Sequence, residues 1–256
     1  MLSHDVDNQK GQERVLELAK LEMRLGFRSA FNFVPERYAN HNEVKVWLKS
    51  NGFEINVHGL KHDGKLFSNK RTVKQQAVRI NQYLKEWEVS GFTAPSMLCN
   101  ADWLHELDIT HSISTFDTDP FEPQPNSAQK IFPFWVQNGS SQEGYVELPY
   151  TLPQDHLLFV ILREKDTDMW KLKLDWTAAQ GGMALLNTHS DYMNFKDTQP
   201  LNEEYPVEYY QEFLEFVKTE YKDMYWHALP RDVARVCKEC LMQGEPRVKQ
   251  HPATTS

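Results

Sequence analysis

The chain has 256 residues, 40% of them hydrophobic and 25% charged, the make-up of a globular protein with apolar material enough for one large domain. A formal net charge of −8 argues against a binder of nucleic-acid backbones, which would need a positive surface. The longest apolar run, Leu157 to Leu162, is far too short to cross a bilayer. Three cysteines cannot staple a chain of this length, which points to a reducing, cytoplasmic setting.

Along the chain, apolar periodicity switches between the helical and the strand pattern. No basic, apolar leader is visible at the start. Met1 to His4 leave little room before Asp5 and Asp7, as they would if residues were missing upstream. Gln9 to Leu25 reads as a helix ended by Gly26, Ser29 to Val34 as a strand closed by Pro35, and Glu43 to Asn51 as a second helix stopped by Gly52. Phe53 to Val57 is a strand and Lys70 to Trp87 a long charged amphipathic helix. Phe92–Ala94, His111–Ser114, Tyr145–Leu148, Leu157–Leu162 and Met183–Thr188 are further strand candidates. Helices are expected at Met169–Gln180, Val207–Lys222 and Arg231–Met242. Such alternation favours an α/β fold with a mostly parallel sheet, open or closed into a barrel. A single domain over residues 1–243 and a flexible tail over 244–256 are expected.

Residues 115–144 break the alternation. They carry Pro120, Pro123, Pro125 and Pro133 together with Phe116, Phe121, Phe132, Phe134 and Trp135. This is too long for a connection and too aromatic for a disordered linker, so a cleft-forming insertion is expected.

Chemistry in α/β folds gathers where strands end, and three strand ends here carry polar groups. In Ser3-His-Asp5-Val-Asp7, two carboxylates project to one side of an extended segment, unfavourable unless a cation or a shared proton relieves them. In His58-Gly-Leu-Lys-His62, the i, i+4 spacing over one helical turn would bring two imidazoles together as in metal-binding pairs. In Asn187-Thr-His189-Ser-Asp191, a lone His tips an apolar strand. Each has a bland alternative: Asp7 as a helix cap, a chance HxxxH, a surface His. Cys237-x-x-Cys240 lacks a second pair and reads as structural, and Cys99 as a small buried residue. The stripe Tyr209, Tyr210, Phe213, Phe216, Val217 reads as core, and the remaining histidines as surface or supporting.

Taken in order, Ser-His-Asp5-Val-Asp7, His58-Gly-Leu-Lys-His62, Gly91-Phe-Thr-Ala-Pro-Ser96 and Asn-Thr-His189-Ser resemble the polysaccharide deacetylase family (NodB homology, carbohydrate esterase family four). The resemblance covers Leu2 to about Tyr192, and Tyr225-Trp-His-Ala-Leu-Pro230 is similar to some bacterial members. It implies a distorted (β/α) barrel of about seven strands and a hydrolase that deacetylates a carbohydrate. It further implies a divalent metal, Zn2+ first and Co2+, Ni2+ or Mn2+ as other candidates, held by Asp7, His58 and His62. Asp5 matches the catalytic base and His189 the general acid. Thr93 stands where the family has an Arg that grips the base, in a segment continuing to Pro95 and Ser96. Arg163 or Lys61 would be the substitute cations. For the Asp that supports the acid, Asp117, Asp119 and Asp191 are candidates, and Trp135 is a candidate sugar contact. Two other readings stay open: a hydrolase of a small non-sugar amide, and a carbohydrate-binding protein that has lost turnover.

Overall fold

The computed structural model describes residues 1–117, 128–196 and 200–242. Strands β1 (Leu2–Val6), β2 (Ala30–Phe33), β3 (Glu54–His58), β4 (Gly91–Thr93), β5 (His111–Ser112), β6 (Phe134–Gln137), β7 (Gly144–Glu147) and β8 (Leu186–His189) form one 8-stranded sheet in the order β6-β7-β5-β4-β3-β2-β1-β8. All neighbours run parallel except β6, which lies antiparallel to β7 at the edge. The sheet is curled into a half-barrel. On its open side the stretch after β7 reaches β8 without forming a strand: Thr151 and Leu152 N–H both donate to the Leu185 carbonyl, and Thr151 Oγ1 accepts from Leu185 N–H at 2.7 Å. This is the expected distorted barrel, with β6 as an antiparallel eighth strand inside the segment read as irregular. A short pair, β9 (Met193–Asn194) and β10 (Tyr205–Pro206), lies outside it.

Helices α1 (Gln9–Leu25), α2 (Asn42–Ser50), α3 (Lys70–Glu86), α4 (Asp168–Ala179), α5 (Val207–Glu220) and α6 (Pro230–Met242) match the sequence expectation to within a residue or two. No helix among the described residues is long and apolar enough to cross a membrane. The sheet has two unlike faces. Phe31, Phe33, Phe53, Ile55, Val57 and Phe92 are buried in the main core with Val15, Leu18, Leu48 and Ile80 from the helices; each fully buried side chain of this kind contributes about 1.5–3 kcal/mol. The residues between them along the strands, Asp5, Asn32, Asn56, His58 and Thr93, are equally buried but polar, and they pair in register across the sheet. A second, smaller core joins Ile113, Val146, Leu148 and Leu185 to Ala234 of α6.

One expectation fails here. Leu157–Leu162 is not a strand but most of a π-helix, His156–Ile161. Leu157, Leu158 and Phe159 are buried while Ile161 is 59% exposed, a one-sided burial that a continuous apolar run does not reveal. His4, read as surface or supporting, is fully buried, bonded to Glu22 Oε1 at 2.8 Å and Thr188 Oγ1 at 2.7 Å. Asp119, Phe121 and the tail 244–256 lie outside the described residues.

Candidate metal and catalytic centre

The site stands on the C-terminal ends of β1, β3 and β8. Asp7 follows β1 directly, and α1 begins two residues later. Its cap is Asn8, whose Oδ1 accepts from Gly11 N–H at 2.9 Å, so Asp7 is left free for chemistry. His58 is the last residue of β3. His62 follows in a tight turn at φ 52°, so the pair is brought together by a strand end and a turn rather than by the helical turn the spacing suggested. Their ring centroids lie 5.1 Å apart. The turn depends on Gly59 at φ +61°, where a Cβ would sit 2.3 Å from Pro95 Cγ; no L side chain fits both that dihedral and that contact. Arg37 donates to the His62 carbonyl at 3.3 Å.

Asp7 Oδ1 lies 3.2 Å from His58 Nε2, and Asp7 Oδ2 3.4 Å from His62 Nε2. One ligand atom from each of the three side chains falls within 4.8 Å of the other two. His58 Nδ1 donates to the Thr93 carbonyl at 3.2 Å, which fixes the tautomer that leaves a lone pair on Nε2. Both His58 Nε2 and Asp7 Oδ1 are buried without a hydrogen-bond partner. Two buried acceptors facing each other are relieved by a cation or a shared proton between them, and one carboxylate with two imidazoles is a donor set that suits zinc or a similar divalent ion. The residues therefore fit the metal. Burial alone would raise the Asp7 pKa, but the nearby His58, His189 and His62 imidazoles hold it well below the usual carboxylate range. Burial pulls His58 down, and the Asp5 and Asp7 carboxylates more than offset that, leaving it raised; at His62 burial prevails and lowers it.

Asp5 Oδ2 lies 3.7 Å from His58 Nε2 and 3.7 Å from His189 Nε2, between the metal group and the late histidine. Asn32 Nδ2 donates to Asp5 Oδ1 at 2.8 Å and Asn187 Nδ2 to Oδ2 at 2.9 Å. His189 is held by Asp155: Oδ1 takes the ring Nδ1–H at 2.8 Å, and Oδ2 accepts from His189 N–H at 2.8 Å and Tyr205 OH at 2.9 Å. Burial would lower the His189 pKa, but the charge and hydrogen bond of Asp155, with Asp7 and Asp5 behind them, push it up to about 10. The ring carries a proton at neutral pH.

The other expected residues are placed less centrally. Thr93 is buried and offers its carbonyl to His58, while its Oγ1 has no partner. Pro95 packs on Gly59, and Ser96 is exposed at φ 54°. Asp191 accepts from Asn8 Nδ2 at 2.7 Å and Asp117 from Lys173 at 2.8 Å, so neither supports His189. Neither substitute cation reaches Asp5: Arg163 donates to the Asn202 carbonyl and Lys61 is exposed. Trp135 packs against the small core with Val233 and Cys237. Phe132 lines an apolar cavity of ≈ 490 Å³ with Met1, Phe27 and Trp226, at the strand ends opposite the metal group. These two aromatics are not brought to Asp7, His58 and His62. Cys240 is exposed and Cys237 half-buried, and the cysteines join no metal-type cluster among the described residues.

Asp155, Tyr205, Asn32 and Asn187 escaped the sequence reading. Asn32 and Asn187 left a trace there, as polar residues within buried strands. Asp155 left none, since nothing in its spacing ties it to His189.

No family model and no curated protein matches the chain. Solved structures do. A Mycobacterium smegmatis protein assigned by name to the polysaccharide deacetylases superposes with a TM-score of 0.71 at 18% identity, covering 99% of this chain and 93% of its own. A Pseudomonas aeruginosa protein assigned in the same way gives 0.63 at 17% identity, covering 89% and 73%. PuuE allantoinase gives 0.62 at 17%, covering 93% and 76%. The chain thus has the fold of the polysaccharide deacetylases, the NodB-homology fold its motifs resemble.

Proposed function

We propose that the chain is a divalent-metal-dependent hydrolase that removes an N-acetyl group from a carbohydrate. The observation that carries this reading is the Asp7–His58–His62 group, with Asp5 beside it and the Asp155-held His189 next to Asp5. A bound divalent ion supplies Lewis acidity toward water and the amide carbonyl. Asp5 is placed to accept the proton of the attacking water through Oδ2. His189, protonated at neutral pH, is placed to donate through Nε2 to the leaving amine nitrogen as the C–N bond breaks. Asp155 holds the imidazolium in orientation and tautomer through Nδ1, the part a carboxylate plays in other acid–base pairs. The sugar as substrate is supported by the fold shared with proteins named as polysaccharide deacetylases.

A second reading keeps this chemistry for a small non-sugar amide. It is favoured by the shared fold with an allantoinase and by the placement of Phe132 and Trp135 away from the metal group. The third, a binding protein without turnover, rests on Thr93 and is weakened by the intact Asp5 and Asp155–His189 arrangement. An assay of acetate release from N-acetylglucosamine oligomers, run beside ureide and formamide hydrolysis with Zn2+- and Co2+-loaded protein, separates them. Acetate release supports the proposal. Turnover of ureides or formamides alone gives the second reading, and metal binding with no turnover the third.

A further inference from the structure

Asp5 has no lysine or arginine partner among the described residues; its ion-pair neighbours are His58 and His189. What holds it is a pair of neutral amides, one on each oxygen, at 2.8 and 2.9 Å. Both amides are fully buried. They come from the two strands flanking β1: Asn32 pairs in register with Asp5 on β2, and Asn187 stands two residues before His189 on β8. Asn32 is itself held, since its Nδ2 also donates to Ser3 Oγ at 2.8 Å. An N–H on each oxygen leaves the carboxylate plane no freedom to turn, and Oδ2 is the oxygen left facing both His58 Nε2 and His189 Nε2.

We infer that Asn32 and Asn187 are positioning residues that clamp the Asp5 carboxylate and select Oδ2 as its proton-accepting atom. The clamp rests on the reading of Asp5 as the base. It fixes direction without adding positive charge, so the attraction of Asp5 for the metal group and for His189 is undiminished. It also explains why Thr at position 93 leaves the carboxylate in place.

Asn187→Ala is the test, because its single side-chain hydrogen bond here is to Asp5. Misdirecting a reacting group by a fraction of an ångström to 1 Å costs up to about 100-fold, so kcat should fall roughly 10- to 100-fold with KM within about twofold. In the Asp5→Asn background the same substitution should cost nothing further, because residues acting as a unit are non-additive. A general structural role would instead lower activity equally in both backgrounds. A crystal structure of Asn187→Ala should show the Asp5 carboxylate turned so that Oδ2 no longer faces both imidazoles. An unmoved carboxylate, or equal losses in both backgrounds, overturns the clamp. Where Ala does not fold, Asn187→Leu fills the volume without a donor and is read in the same way. If the parent protein hydrolyses no amide, the functional proposal fails, and the crystallographic orientation alone decides the clamp.

Discussion

Glu147 ends β7 with its carboxyl 1% exposed. Oε1 accepts from Ser114 N–H at 2.8 Å and Thr115 Oγ1 at 2.9 Å, whereas Oε2 is buried without a partner. Burial therefore outweighs these bonds and raises the pKa from 4.5 to about 7. Between those values the native state holds a proton that the unfolded chain has released, so this group's contribution is complete below pH 4.5 and is lost as pH rises through 7. At about 1.4 kcal/mol per pH unit, the loss is of order 3 kcal/mol. Glu147→Gln keeps an oxygen for Ser114 and Thr115 and removes the charge. Relative to the parent, it should gain of order 3 kcal/mol between pH 4.5 and pH 8. Urea unfolding of both proteins across that range reads the difference directly, because every other titrating group cancels. A stability difference independent of pH would refute the reasoning, and so would a variant that loses ground as pH rises.

Other consequences are equally open to measurement. Asp155→Asn removes the main charge that raises His189, so the alkaline limb of kcat/KM should move to lower pH and kcat should fall roughly 100-fold or more; a limb that stays in place would separate Asp155 from the acid. Gly59→Ala forces a Cβ onto Pro95 at a left-handed dihedral and should cost about 1–3 kcal/mol, with reduced metal content because the His58–His62 turn is displaced. Thr93→Arg places a long cation at a fully buried position, and both Asp5 oxygens already have donors. It should lower the melting temperature without raising turnover, and a stable variant with faster turnover would contradict this.

The alternation of helix and strand was readable because α1, α2, α3 and the strands between them have caps, glycines and clean periodicity. The pair His58 and His62 was readable too, although for the wrong local reason: a strand end and a glycine turn bring the rings together. Phe31-Asn32-Phe33 and Glu54-Ile-Asn56-Val-His58 carry the barrel interior in plain sight, as polar residues alternating with buried apolar ones. The clamp on Asp5 could have been sought there. Asp155 could not, since its link to His189 is made only when the π-helix and β8 are packed side by side. Leu157 to Leu162 misled because an unbroken apolar run has no period to distinguish helix from strand. The edge strand β6 was hidden by the prolines around it.

A divalent metal held by Asp7, His58 and His62 is the centre of the proposed chemistry. Elemental analysis of the purified protein and of His58→Ala, His62→Ala and Asp5→Asn, each paired with acetate release from N-acetylglucosamine oligomers, tests that most directly. About one equivalent of a divalent metal is expected in the parent and in Asp5→Asn. The two histidine variants should be nearly metal-free and inactive, and Asp5→Asn should keep only a small residual turnover. Full metal content in both histidine variants would contradict the account, as would metal lost from Asp5→Asn while Asp7→Asn retains it.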